Sequence, residues 1–115
     1  MRNLKFIYFL LLTFQFSFGQ TKESIPESFT KIEGLEFVGN ITFYFQEKTQ
    51  TILAYQNEKI KWKSKVIKVC GKPAVGKSKI RQISIAENGL KVVYGKHNFA
   101  KIVMETGEII CEGSD

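Results

Sequence analysis

Acid–base and metal chemistry have little to work with in this chain: aspartate occurs once, at Asp115, and histidine once, at His97. A histidine-built zinc site needs several imidazoles, or imidazoles with thiolates, at ligand spacing. His97, in Gly95-Lys96-His97-Asn98, has neither a second histidine nor a cysteine at such spacing, so it reads as a turn residue and no metal is expected. The glutamates are scattered singly and no serine or cysteine stands in a recognisable nucleophile setting. Without a convergent acid, base and nucleophile, the expectation is a non-catalytic protein that needs no cofactor. Beyond residue 19 there is also no apolar run approaching the roughly 20 residues of a membrane-spanning helix, and no stretch with a 3.6-residue apolar period.

The apolar run the chain does have lies at its start. Arg2 and Lys5 precede Phe6 to Thr13, and the region closes on Ser17-Phe18-Gly19. A basic lead, a short apolar core and small residues before the cut describe a cleavable secretory signal peptide over residues 1–19. No cysteine stands at the cleavage point, so a lipid-modified N-terminus is not supported. Loss of this leader removes Arg2 and Lys5, lowering the formal charge from +6 to +4, and leaves 96 of the 115 residues. That length suits one domain with one modest core. The expected destination is exported, periplasmic or extracellular.

Cys70 and Cys111 both lie past the leader. In an oxidising compartment such a pair is expected to form a disulfide. The alternative is two separate buried thiols. A bridge would close a loop worth about 4 kcal/mol in the chain-entropy account.

Residues 20–35 are polar and include Pro26, and read as a tail before a single β domain at 36–115. There the apolar residues recur with period two, as strands require. Phe37, Ile41, Phe43 and Phe45 share one parity within 36–46; a polar break at 46–50 leads to a strand at 51–56. After the turn Asn57-Glu58, a third strand is expected over 59–69. Residues 71–78 form a loop. Residues 79–86 and 89–94 form a hairpin, with Asn88-Gly89 supplying the positive-φ positions of a type I′ turn. A last pair covers 99–104 and 108–111, joined through Glu105-Thr106-Gly107. The sum is all-β, about seven strands in an antiparallel meander, arranged as blade-like sheets or as a small sandwich or open barrel.

One phrase recurs. Ala54-Tyr55, a turn, then Lys59-Ile60-Lys61-Trp62 is echoed by Phe99 to Cys111 with Thr106-Gly107-Glu108-Ile109-Ile110, and Trp62 and Cys111 lie 49 residues apart. The phrase resembles the strand–turn–strand unit of quinoprotein-type β-propeller blades, over about half of residues 20–115. The second copy has Cys111 and Val103 where that unit carries Trp and Asp. The resemblance implies blade-like sheets only. A closed propeller typically needs four or more blades, beyond the reach of 96 residues, and no quinone site is implied.

Two motifs carry chemistry. Gly71-Lys72-Pro73-Ala74-Val75-Gly76-Lys77-Ser78 matches the phosphate-binding pattern G-x-x-x-x-G-K-[ST], in which backbone N–H groups cradle phosphates, Lys77 would reach the terminal ones and Ser78 would hold Mg²⁺. That motif works only where it opens a helix. Residues 79–86, rich in β-branched side chains, predict a strand, and no strand ending in aspartate follows. The loop is therefore expected to be a connection rather than a nucleotide site.

The second motif is basic: Lys59 to Arg81 holds nine basic residues and no acidic one. Alternation places Lys59, Lys61, Lys63 and Lys65 on one face of the third strand, about 6–7 Å apart, with Ile60, Trp62 and Val66 on the other. Such a stripe suits an anionic polymer, whether envelope glycan, lipid phosphate or nucleic acid. It equally suits a solvated edge strand whose lysines discourage pairing with other edges. No aromatic platform interleaves the lysines, so sequence-specific reading of nucleic acid is not expected. Asn40-Ile41-Thr42 is a glycosylation sequon that matters only in a eukaryotic secretory pathway. The functional expectation is an exported binding or scaffolding module whose partner is a protein or an anionic envelope polymer.

Overall fold

The computed structural model describes residues 22–35 and 39–114. The leader read at residues 1–19 lies outside them, as does Phe37. Among the described residues the chain forms eight strands and one short helix: β1 (Thr30–Lys31), β2 (Thr42–Gln46), β3 (Thr51–Gln56), β4 (Lys59–Ser64), α1 (Val66–Cys70), β5 (Ile80–Ala86), β6 (Gly89–Tyr94), β7 (Asn98–Val103) and β8 (Ile109–Ser114). They build two four-stranded antiparallel meanders, β1-β2-β3-β4 and β5-β6-β7-β8. The recurring phrase falls on the β3–β4 hairpin of one sheet and the β7–β8 hairpin of the other.

The two sheets share one core. Ile41, Phe43, Ile52, Ala54 and Trp62 of the first meet Leu90, Val92, Tyr94, Ala100, Ile102 and Met104 of the second. These are alternate residues of their strands, because a strand turns every second side chain to the same face. Ile41 and Phe43 are buried, and Phe45 packs partly against them, so the parity read over 36–46 describes the core face. Trp62 crosses the interface: its indole N–H donates to the Met104 carbonyl at 2.7 Å, satisfying the one polar group that this large side chain carries inward. Next to it, Ser64 Oγ donates to the Gly107 carbonyl at 2.7 Å.

Three expectations are corrected. The third strand does not run to Val69; it ends at Ser64, and Val66–Cys70 is a helix. Val66 is buried and Ile67 and Cys70 pack against the core, while Lys68 and Val69 are exposed. That i, i+1, i+4 pattern is helical, but one turn is too short to register as a period, and three β-branched residues argue locally for strand. Burial decided against propensity.

The polar segment 22–35 is not a detached tail, since Thr30 and Lys31 pair with Phe45 and Tyr44. Glu23 caps the β3–β4 turn: its backbone N–H donates to the Glu58 carbonyl at 2.8 Å and its carboxylate accepts from the Ile60 N–H at 2.9 Å. Lys63 Nζ stands 5.9 Å from the centre of the Phe29 ring, so this segment lies over the outer face of β3–β4. Leu53, which points away from the shared core, is fully buried there. With β1 the strands number eight among the described residues, in keeping with the meander of about seven read from the sequence.

The β5–β6 turn is Glu87-Asn88, because Ala86 already pairs with Gly89. Positive φ occurs at Asn88 and not at Gly89. Gly89 is required for another reason: a Cβ there would lie 1.9 Å from the Ile102 carbonyl oxygen of β7. The signal was legible but its physical cause was closeness of backbones rather than backbone handedness.

Cys70 and Cys111 are bridged, with Cα atoms 5.6 Å apart. The bond ties the end of α1 to β8. Among the described residues no helix is long and apolar enough to cross a membrane.

Candidate functional site

The stripe lysines do not form a uniform row. β3 and β4 pair as Ala54↔Trp62 and then Tyr55↔Ile60, which leaves Lys61 without an opposite number. A bulge of this kind bends a strand and re-aims the residue at it. Lys61 Nζ lies 3.7 Å from the Glu105 carboxylate and 3.3 Å from Gln56 Oε1. Lys63 sits over Phe29, and Lys65 has left the strand to stand at the N-terminus of α1. Lys59 is exposed at the start of β4, between Glu58 in the turn and the Glu23 carboxylate on Ile60. Of the four stripe lysines, only Lys61 has a carboxylate within ion-pair distance among the described residues, that of Glu105.

The Gly71–Ser78 loop starts where α1 ends. Gly71 closes the helix, its N–H donating to the Ile67 carbonyl at 2.8 Å, so the helix turns carbonyls rather than N–H groups toward the loop. The loop leads into strand β5, not into a helix. The polarity that makes a helix start attractive to phosphate is therefore absent from the Gly71–Ser78 motif in the form its pattern demands.

The loop instead folds onto the turn joining β6 and β7. The Lys96 N–H donates to the Val75 carbonyl at 3.0 Å and the Gly95 N–H to the Lys79 carbonyl at 3.1 Å. Gly76 has φ +93°, and a Cβ on it would lie 2.6 Å from the Lys96 nitrogen, so loop and turn touch backbone to backbone. A second bulge helps. Pairing passes from Ile80↔Tyr94 to Gln82↔Val93, leaving Arg81 out of register. Its guanidinium donates to the carbonyls of Gly95 and Lys96, the latter at 3.0 Å.

Together these elements border an open hollow of about 680 Å³ lined by Lys77, Lys79, Arg81, Lys96 and His97, with Val75 and Ile80 among its lining. Four basic side chains line it and no acidic one does. Lys79 reaches Glu47 across the β2–β3 turn at 3.6 Å. Among the described residues, Lys77 and Lys96 have no carboxylate within ion-pair distance. The size falls within the range of small-molecule sites.

Lys77, Lys79 and Arg81 belong to the basic segment read from the sequence. Lys96 and His97 do not, and His97 is an exposed turn residue that also borders the hollow. Its place there depends on hydrogen bonds spanning some twenty residues, for which the local sequence carries no sign. Among the described residues no group of three or more His, Cys, Asp or Glu side chains could hold a metal. Comparison with known protein families, with curated proteins and with solved structures finds no match to this chain.

Proposed function

We propose that this chain is an exported, non-catalytic binding module of the cell envelope or extracellular space, and that its partner is an anionic polymer. The observation that carries the reading is the gathering of Lys77, Lys79, Arg81 and Lys96 around one hollow with no acidic side chain in its lining. Holding like charges together is unfavourable in the absence of a counter-charge, and an anionic partner supplies one. The Cys70–Cys111 bridge supports an oxidising compartment, in keeping with the leader at residues 1–19. Lys59, Lys63 and Lys65, all exposed on or beside β4, form a secondary surface for the same partner, with Lys61 largely engaged by Glu105. Sequence-specific nucleic-acid reading is not part of the proposal.

Binding of this kind is driven by release of counterions, so affinity falls log-linearly with salt, with a slope near −3.6 if four cations engage phosphates of a duplex. A salt titration against heparin, lipopolysaccharide and duplex DNA measures it. A steep dependence with heparin or lipopolysaccharide supports the reading, and absence of binding to all three at low salt overturns it.

A further inference from the structure

We propose that the hollow between the Gly71–Ser78 loop and the β6–β7 turn is a binding site for a phosphomonoester carried on a sugar-sized group. The inference rests on the anionic-partner reading and deepens it by naming the site and the ligand chemistry.

Charge selects the ligand first. The lining presents Lys77, Lys79, Arg81 and Lys96, and one of these, Lys79, is opposed by Glu47. The net excess is larger than a single carboxylate can answer, whereas a phosphomonoester brings close to two negative charges at neutral pH and three acceptor oxygens. Lys77 and Lys96 are the side chains with ammonium groups to spare, one from the loop and one from the turn. A phosphate held between them would bridge the two segments. Arg81 is a positioning residue: its guanidinium is occupied with the Gly95 and Lys96 carbonyls, and so sets where Lys96 emerges.

Shape comes second. A bare phosphate would leave most of a hollow of about 680 Å³ empty. Val75, Ile80 and the methylene stems of the lysines offer apolar surface on which the carrier can rest while the ammonium heads meet the anion. Preorganisation comes third. The backbone bonds Lys96 N–H to Val75 and Gly95 N–H to Lys79, with the Gly76–Lys96 contact, hold the two cationic segments together in the absence of ligand, which lowers the ordering cost on binding. No step requires Mg²⁺, which separates this site from the nucleotide-loop chemistry suggested by the Gly71–Ser78 pattern.

The test uses the chain without its leader and three ligands: inorganic phosphate, glucose 1-phosphate, and phosphatidylcholine vesicles containing phosphatidic acid. The first two are followed by calorimetry in the presence of a chelator, the vesicles by co-sedimentation. Gluconate serves as the singly charged control. The expected result is chelator-insensitive binding of glucose 1-phosphate, tighter than inorganic phosphate and much tighter than gluconate, with the vesicle arm deciding whether a lipid headgroup can take the same place. K77Q/K96Q should weaken it by at least about tenfold, as loss of two charge-assisted contacts requires. K101Q, which removes an exposed cation paired with Glu112 and absent from the lining, should leave it unchanged.

Both lysines of the first variant are exposed, so its thermal midpoint should match wild type and certify the fold. Failure of wild type to bind glucose 1-phosphate overturns the site, as does undiminished binding by K77Q/K96Q. Heparin measured in parallel separates the two levels. If heparin still binds, only this site is lost, and if heparin fails as well, the anionic-partner reading falls with it.

Discussion

The molecule carries two clusters of cations that look alike in sequence and differ in surroundings. Both centre on a bulge with a basic residue at it, Lys61 in β4 and Arg81 in β5. At β4, the fold brings Glu105 to Lys61, while among the described residues Lys59, Lys63 and Lys65 have no carboxylate within ion-pair distance. At the loop, it brings Lys96 and His97 to Lys77, Lys79 and Arg81, with Glu47 alone opposing them. The basic segment from Lys59 to Arg81 is thus divided by tertiary structure into a part spread along β4 and a part gathered around a hollow, with one lysine of each, Lys61 and Lys79, paired with a carboxylate. What matters for attraction of an anion is the net field over roughly a Debye length, about 8–10 Å, and neighbours in space set that as much as neighbours in sequence.

The difference can be attacked at three places. The Cys70–Cys111 bridge stands between the two clusters, joining the helix that ends the first to β8. C70S/C111S should lower stability by about 4 kcal/mol, the cost of reopening a loop of this length in the unfolded chain, seen as a fall in the urea midpoint with a steeper slope, because the unbridged unfolded chain is less compact. A loss below about 1 kcal/mol would mean that the bridge does little to restrain the unfolded chain.

A smaller effect on stability, but a larger one on binding, is expected from G76A. The new methyl group must displace the Lys96 backbone, and φ +93° is a region that side chains avoid. A cost of about 1–2 kcal/mol is expected, together with loss of most affinity for glucose 1-phosphate, because loop and turn no longer close on each other. Retained affinity at reduced stability would show that the two cationic segments need not be held in contact.

Least of all should follow from K61Q. Lys61 pairs with Glu105, whose side chain is 83% exposed, and such pairs are worth no more than about 0.5–1 kcal/mol. Its heparin salt slope should match wild type. A slope change as large as that of a K77Q variant would erase the distinction between a lysine paired with a carboxylate and one that is not.

The strands were readable wherever one side chain in two faces the common core: β2, β3, β5, β6 and β7 fall within a residue or two of the pattern once Thr42, rather than Glu36, is taken as the start of β2. The turn Asn57-Glu58 was readable too, with φ of 53° and 64°. What escaped was short or non-local. Helix α1 has five residues, less than two turns, and β1 has two, less than a period of any kind. The candidate site was half legible. Its loop lysines stood in a conspicuous run, but Lys96 looked like part of an ordinary turn until the Val75–Lys96 bond placed it opposite them.

By itself, the amino-acid sequence determined the all-β class, the core faces and the availability of two cysteines for bridging, because these follow from the pitch of a strand and the chemistry of a thiol pair, which are local or compositional. The tertiary structure alone decided that Val66–Cys70 would be helical, that Thr30–Lys31 would add an edge strand to the first sheet, and which lysines would be answered by carboxylates. Those outcomes depend on burial and on Coulomb interactions between residues brought together from far along the chain. They are energies of proximity, and proximity exists only once the chain has folded.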